Sequence, residues 1–225
     1  ARWRGEAGDA AGATTAFAEL LADSLRVRGP DHSDTLTTRA NLARWRGEAG
    51  DAAGATTAFA ELLADSLRVR GPDHPDTLTT RTYLANWRGE AGDAAGAATA
   101  TAELLADSLR VLGPDHPDTL TARHNLAYWQ GQAGDAAGAA TATAELLAHR
   151  LRVLGPDHPD TLTTRANLAR WRGKAGDAAG AATATAEVLA DSLRVLGPDH
   201  PNTLTVRHNL AYWRGQADGG LDPGF

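Results

Sequence analysis

The chain has 225 residues, 42% of them hydrophobic, and its 22 Lys plus Arg stand against 28 Asp plus Glu for a formal net charge of −6. That sign is wrong for a general phosphate-backbone binder, so no nucleic acid partner is expected, and the absence of cysteine removes disulfides, thiolate metal ligands and cysteine nucleophiles. No apolar run approaches the roughly 20 residues that span a bilayer and no signal-like segment opens the chain, so a soluble, cytoplasmic protein with no membrane contact is expected.

Lys174 is the only lysine and Met is absent, while Ala, Gly and Arg abound. That bias suits a GC-rich, actinobacterial genome. An opening in mid-motif without Met suggests a fragment of something longer.

The sequence is periodic. Its tryptophans fall at Trp3, Trp45, Trp87, Trp129, Trp171 and Trp213, always 42 apart, and a Gly-Pro-Asp-His linker returns at the same interval from Gly29, Gly71, Gly113, Gly155 and Gly197. Such a period is the signature of stacked supersecondary units that cannot bury their apolar faces alone.

In chain order, Ala1 lies partway through a first helix A, and a first helix B carries Ala13, Phe17, Leu20 and Leu21. Each later linker leads into a new helix A. In the second full copy this helix is expected from about Pro75 to Glu90, with Pro75 at the first helical position, Asp76 complementing the dipole, and His74 or Asp73 as cap. Gly92 fits a left-handed C′ residue. Asp93 can then cap helix B, which is expected to reach about Leu112 before Gly113 and Pro114 stop it. The last helix A runs from about Pro201 to Gln216, and a tail from Asp218 to Phe225 follows, broken by Gly219, Gly220 and Pro223.

At about 100° per residue, Ala52, Ala55, Ala58, Phe59, Leu62, Leu63, Ser66 and Val69 share one arc of a helix B, opposite Glu61, Asp65 and Arg68. On a helix A, Leu36, Leu42, Ala43, Trp45 and Ala49 take one side. Thr37, Ala40, Asn41, Arg44 and Glu48 take the other.

The run Asn41-Leu42-Ala43, the Gly50-Asp51 turn, Ala55 and Phe59 resemble the tetratricopeptide repeat. The 42-residue length and the linker Gly71 to Asp76 are similar to its kinesin-light-chain type. The resemblance implies an all-α fold: a right-handed α-solenoid, or superhelix, of antiparallel helix pairs in 42-residue repeats. The expected domain is a single solenoid over 1–225 of about five repeats, with a truncated helix A at its start, and an unpaired helix A and a short tail (217–225) at its end. It also implies a concave groove lined by helix A.

Three features depart from that pattern. Arg39 and Arg46 stand where the family has aromatics on the buried side of helix A, and so need pairing or a snorkelled stem. Arg39, Arg81, Arg123, Arg165 and Arg207 could form a basic binding stripe, but they read as structural, each paired with a helix B acid such as Glu61 or Asp65 or stacked on Trp. Trp45 lies one place early. Phe17 and Phe59 become Thr101, Thr143 and Thr185, which implies closer or thinner packing in the later copies.

The groove supplies the candidate site. Asn41, Asn125, Asn167 and Asn209 recur at one position, with Tyr83 in their place in the second copy, and an amide ladder can hold a peptide backbone without reading its sequence. Three residues on, the copies diverge to Arg44, Asn86, Tyr128, Arg170 and Tyr212, as specificity on a constant platform would. One residue before the Asn they vary among Ala40, Thr82, His124, Ala166 and His208. The bland alternative is an asparagine bonded to its own helix.

The tryptophans read as a packing ladder rather than ligand stackers, since Trp is highly buried on average. The linker histidines His32, His74, His116, His158 and His200 lie one repeat apart, too far to share an ion, so no metal or other cofactor is expected. No serine nucleophile with a base and no phosphate-cradling loop is visible, and no enzyme is expected.

Two functions fit. The first is a scaffold binding a protein or an extended peptide through the groove. The second is a structural module that self-associates head to tail, or a recently duplicated or artificial array with no dedicated ligand, because solenoids need polar end caps and neither end carries one.

Overall fold

The computed structural model describes residues 9–219, which form ten α-helices and, among these residues, no strand. The B helices are α1 (Ala10–Arg28), α3 (Ala52–Arg70), α5 (Ala94–Val111), α7 (Ala136–Leu154) and α9 (Ala178–Val195). The A helices are α2 (Ser33–Glu48), α4 (Pro75–Glu90), α6 (Pro117–Gln132), α8 (Pro159–Lys174) and α10 (Pro201–Ala217). Two compact units result, the first ending at Val111 and the second opening at Leu112. Within each, consecutive helices pack on one another, and the A helices α2 and α4, or α8 and α10, also touch.

The capping chemistry explains why the helices start where they do. Asp51 accepts a hydrogen bond from Gly54 N at 2.8 Å, and Asp93, Asp135 and Asp177 repeat it at the same length on Gly96, Gly138 and Gly180. Glycine is needed at that third position because a Cβ on Gly54 would collide with the Asp51 carboxylate. The A helices are capped by histidine rather than by the preceding aspartate: His74 Nδ1 accepts from Asp76 N at 3.1 Å. The left-handed backbone at Gly92, with φ of 103°, lets the chain turn from α4 into α5.

The core of the first unit joins Leu36 and Ala43 of α2 to Phe59 and Leu62 of α3, with Tyr83, Leu84 and Trp87 of α4 packed against it. Full burial of one such leucine contributes about 2 kcal/mol. Phe59 stacks on Tyr83 with centroids 5.2 Å apart. Where threonine replaces the ring, its hydroxyl turns onto its own helix: Thr101, Thr143 and Thr185 each donate to the carbonyl four residues back at 2.7 Å.

The tryptophans are packing elements. Trp45, Trp129, Trp171 and Trp213 are buried. A Cβ on Gly47 would come within 2.6 Å of the Trp87 ring, and one on Gly173 within 2.6 Å of Trp213. Each of these indoles therefore lies against the glycine of the preceding A helix, where any side chain would push it away.

Three expectations need correction. Arg46 is about half exposed and pairs with Asp51 in the A–B turn, so it does not share the buried face of Arg39. Val69, placed on the apolar arc of α3, is 39% exposed. Arg123 has no such ion pair among the described residues, because position 149 is histidine where the other B helices carry aspartate. The first partial helix A with Trp3, and the end of the tail with Phe225, lie outside the described residues.

Candidate functional site

The A helices carry the candidate residues. Asn41, Tyr83, Asn125, Asn167 and Asn209 are all half-buried, neither sealed between helices nor fully in solvent. Asn41 Nδ2 donates to the Thr37 carbonyl of its own helix at 3.1 Å, the local bond that the bland alternative foresees.

Between α2 and α4 an open hollow of about 190 Å³ is bordered by Asn41 and Tyr83, and Ser66 of α3 lies among its lining residues. In the second unit a matching hollow between α8 and α10 is bordered by Asn167 and Asn209, with Ser192 of α9. The Oγ atoms of Ser66 and Ser192 are buried without a hydrogen-bond partner.

The diverging column covers the tryptophans. Arg44 lies over the Trp45 ring at 5.0 Å, and Tyr212 packs edge-on to Trp213 at 4.7 Å. Tyr128 does the same to Trp129 at 4.8 Å, while Arg170 lies over Trp171 at 4.1 Å and over Tyr128 at 5.7 Å. Asn86 occupies the same position on α4 and is half-buried. The four arginine and tyrosine side chains are held by aromatic faces, which limits their freedom before any ligand arrives.

Behind this surface runs a charge network that copy comparison hinted at only through Arg39. Arg39 reaches Asp65, Asp65 reaches Arg68 at 3.1 Å, and Arg68 reaches Asp31 of the preceding linker. The same four positions close as Arg81, Asp107, Arg110 and Asp73, and as Arg165, Asp191, Arg194 and Asp157. The Arg39 guanidinium, and after it that of Arg68, holds the Asp65 carboxyl below its ordinary range, and Asp107 and Asp191 are lowered by the matching arginines.

The B helix α7 breaks the pattern. Positions 149 and 150 are His-Arg where the other B helices have Asp-Ser. Among the described residues Arg123 therefore meets no aspartate, and its Nε is buried without a partner. His149 instead lies 3.5 Å from Asp115, which also holds Arg152. Arg150 is 8% exposed. Its Nη1 donates to the Asp160 carbonyl at 2.9 Å and to Thr164 Oγ1 at 2.6 Å. The signal that could have found this pair is its departure from the copies, which a search for shared positions passes over.

A tetratricopeptide repeat model matches residues 35–76, 77–118, 119–160 and 161–202. The chain belongs to the tetratricopeptide repeat family, whose members are generally non-enzymatic scaffolds for protein–protein interaction. Solved structures agree on the fold. A Podosopora anserina protein described as a kinesin light chain with nearly identical TPR-like repeats superposes with a TM-score of 0.75 at 21% identity, over 86% of this chain and 92% of that one. BtubC (BKLC) from P. vanneervenii gives 0.71 at 20% identity, over 94% of this chain and 82% of that one. A Rap protein complexed with competence and sporulation factor gives 0.63 at 10% identity, over 92% and 60%. No curated protein matches the chain in sequence. Among the described residues no helix is long and apolar enough to cross a membrane.

Proposed function

We propose that this chain is a non-catalytic scaffold that binds an extended peptide, or an unfolded stretch of a partner protein, along its A helices. The observation that carries the reading is the repeated hollow: Asn41 with Tyr83 in one unit, and Asn167 with Asn209 in the other, border the space between successive A helices. Amides at those borders can donate to and accept from a peptide backbone. Arg44, Asn86, Tyr128, Arg170 and Tyr212 would then read side chains, and Asn125 continues the amide column. The Rap structure, solved with competence and sporulation factor, offers a precedent in a chain of similar fold.

A peptide-array screen of the chain and of Asn167→Ala/Asn209→Ala tests this. The double variant should lose at least tenfold in affinity for the selected peptides while melting normally. Equal binding by both, or no selected peptide at all, rules the reading out.

Self-association is the second reading, favoured by apolar side chains in solvent on α1, where Val27 is 67% exposed, and on α10, where Leu204 is 47% exposed. Sedimentation over a concentration series decides it. Growth abolished by Leu204→Glu supports assembly, and a constant monomer excludes it.

A further inference from the structure

Resting on the peptide-binding reading, we infer that Arg150 and His124 plug the space between α6 and α8, so that in the second unit a bound peptide inserts a side chain only between α8 and α10, where a short uncharged one fits.

The two open hollows share a plan. Each has alanine on the earlier A helix, Ala40 or Ala166, and serine on the B helix, Ser66 or Ser192. The next A helix supplies the far wall, with Asp76 and Thr80 in one hollow and Asn202 and Val206 in the other. At the corresponding positions between α6 and α8 stand His124, Arg150, Asp160 and Thr164. Both small residues of the plan are thus exchanged for large ones in the same copy.

The hydrogen bonds carry the arginine across that space. Arg150 Nη1 donates to the Asp160 carbonyl at 2.9 Å and to Thr164 Oγ1 at 2.6 Å, so the guanidinium reaches from α7 to the wall whose counterparts border the open hollows. Ser66 and Ser192 are too short to do this, and their hydroxyls make no hydrogen bond. Arg150 is buried and its Nε is sealed from solvent, so the side chain fills the space rather than offering donors to a ligand. Displacing it would break both hydrogen bonds and leave a buried charge unmatched, a cost that serine does not impose. His124 lies close enough to Arg150 and Asp160 to feel both charges, which sets its ring near the guanidinium.

The hollow between α8 and α10 has its own chemistry. It measures about 80 Å³, and none of its lining residues is charged. Leu162 and Val206 give it an apolar lining, and Asn167, Asn209, Thr163 and Thr205 surround them. A charged side chain entering there would lose its hydration without gaining a counter-charge. The hollow of the first unit differs: it is larger, at about 190 Å³, and Arg70 and Asp76, 3.1 Å apart, lie among its lining residues. Valine at position 206, where Thr80 and Thr164 have a hydroxyl, adapts the second hollow to an uncharged guest.

The first arm of the test needs no peptide. The probe is 2-propanol, titrated into the full chain while the side-chain amide signals of Asn125 and Asn209 are followed by NMR, the first reporting on the plugged position and the second on the open one. In the wild type the Asn209 shift should be severalfold larger than that of Asn125. In H124A/R150S, which installs the alanine and serine of the open hollows, the Asn125 shift should rise to match it. R150S alone is the fallback if the double variant does not fold, since four other B helices carry serine there. Equal shifts of Asn125 and Asn209 in the wild type, or an Asn125 shift that neither variant raises, overturn the inference. The second arm is a substitution scan of a peptide selected on the array. Wild type should show one position in the second unit where a charged residue costs about tenfold or more in affinity, and the variant should show two. An identical pattern for both proteins overturns the role of Arg150 in selection. The expected probe shifts with no selected peptide would sink only the peptide reading.

Discussion

Arg39 Nη1 lies 2.6 Å from Asp65 Oδ2, tying an A helix to its own B helix, and Arg81 with Asp107 and Arg165 with Asp191 repeat the contact at 2.6 Å. Each arginine is about four-fifths buried and each aspartate about two-thirds, so solvent screens these pairs less than ordinary surface ones. A double-mutant cycle on Arg81→Ala and Asp107→Ala should give a coupling of about 1 kcal/mol. At the deviant copy the sign reverses. His149→Asp should stabilise by about 0.5–1 kcal/mol in urea melts, because it supplies the acid that Arg123 lacks. A coupling near zero, or a less stable His149→Asp, would refute the account.

Gly173 tests the tryptophan contact. A Cβ there sits 2.6 Å from the Trp213 ring, so Gly173→Ala should destabilise by about 1–3 kcal/mol despite alanine's better helix propensity. A melting temperature at or above the wild type would show that the indole can shift without cost.

Phe59 offers the complementary test. It is fully buried and stacked on Tyr83, so Phe59→Thr should cost about 3 kcal/mol even though threonine fills the same position in later copies. Little loss would mean that Tyr83 moves to refill the space.

His124 sets a pH dependence. Its folded value is lowered from 6.5, by burial first and then by Arg150 and Arg170, with Asp160 opposing. The unfolded chain therefore binds a proton that the folded chain resists. The stabilisation is fully present above about pH 6.5 and is lost as pH falls below it. Asp65, Asp107 and Asp191, lowered from 3.8, act only in a more acid window. His124→Ala, the residue found at Ala40 and Ala166, should flatten the slope between about pH 6.5 and 5 in denaturant titrations. An unchanged slope would assign it to another group.

The helix pairs are legible in the sequence because their signals are local. Proline at the first turn, histidine at the cap and glycine at the C′ position place Pro75–Glu90 where it is found. That Arg39 needs an acid of helix B can be read as well, but the sequence leaves Glu61 and Asp65 open, and the fold selects Asp65. Arg46 escapes such a reading because seven-residue spacing says nothing of Asp51, which the turn brings back. Arg123 escapes it because the copies are not equivalent where His149 differs. The hollows beside Asn41 and Asn167 are not legible at all. Their walls come from A helices a full repeat apart, and a helical wheel describes one helix.

The glycine and the indole that touch stand 40 residues apart: Gly47 meets Trp87, and Gly173 meets Trp213. Every such repeat thus brings both a knob and a socket, one for each neighbour. Excising or inserting a full 42-residue stretch rejoins a knob to a socket wherever the cut falls inside a unit, whereas any other length leaves one unmatched. Length variation in this chain is therefore quantised. Unequal recombination between its near-identical copies can lengthen or shorten the array while preserving each internal contact.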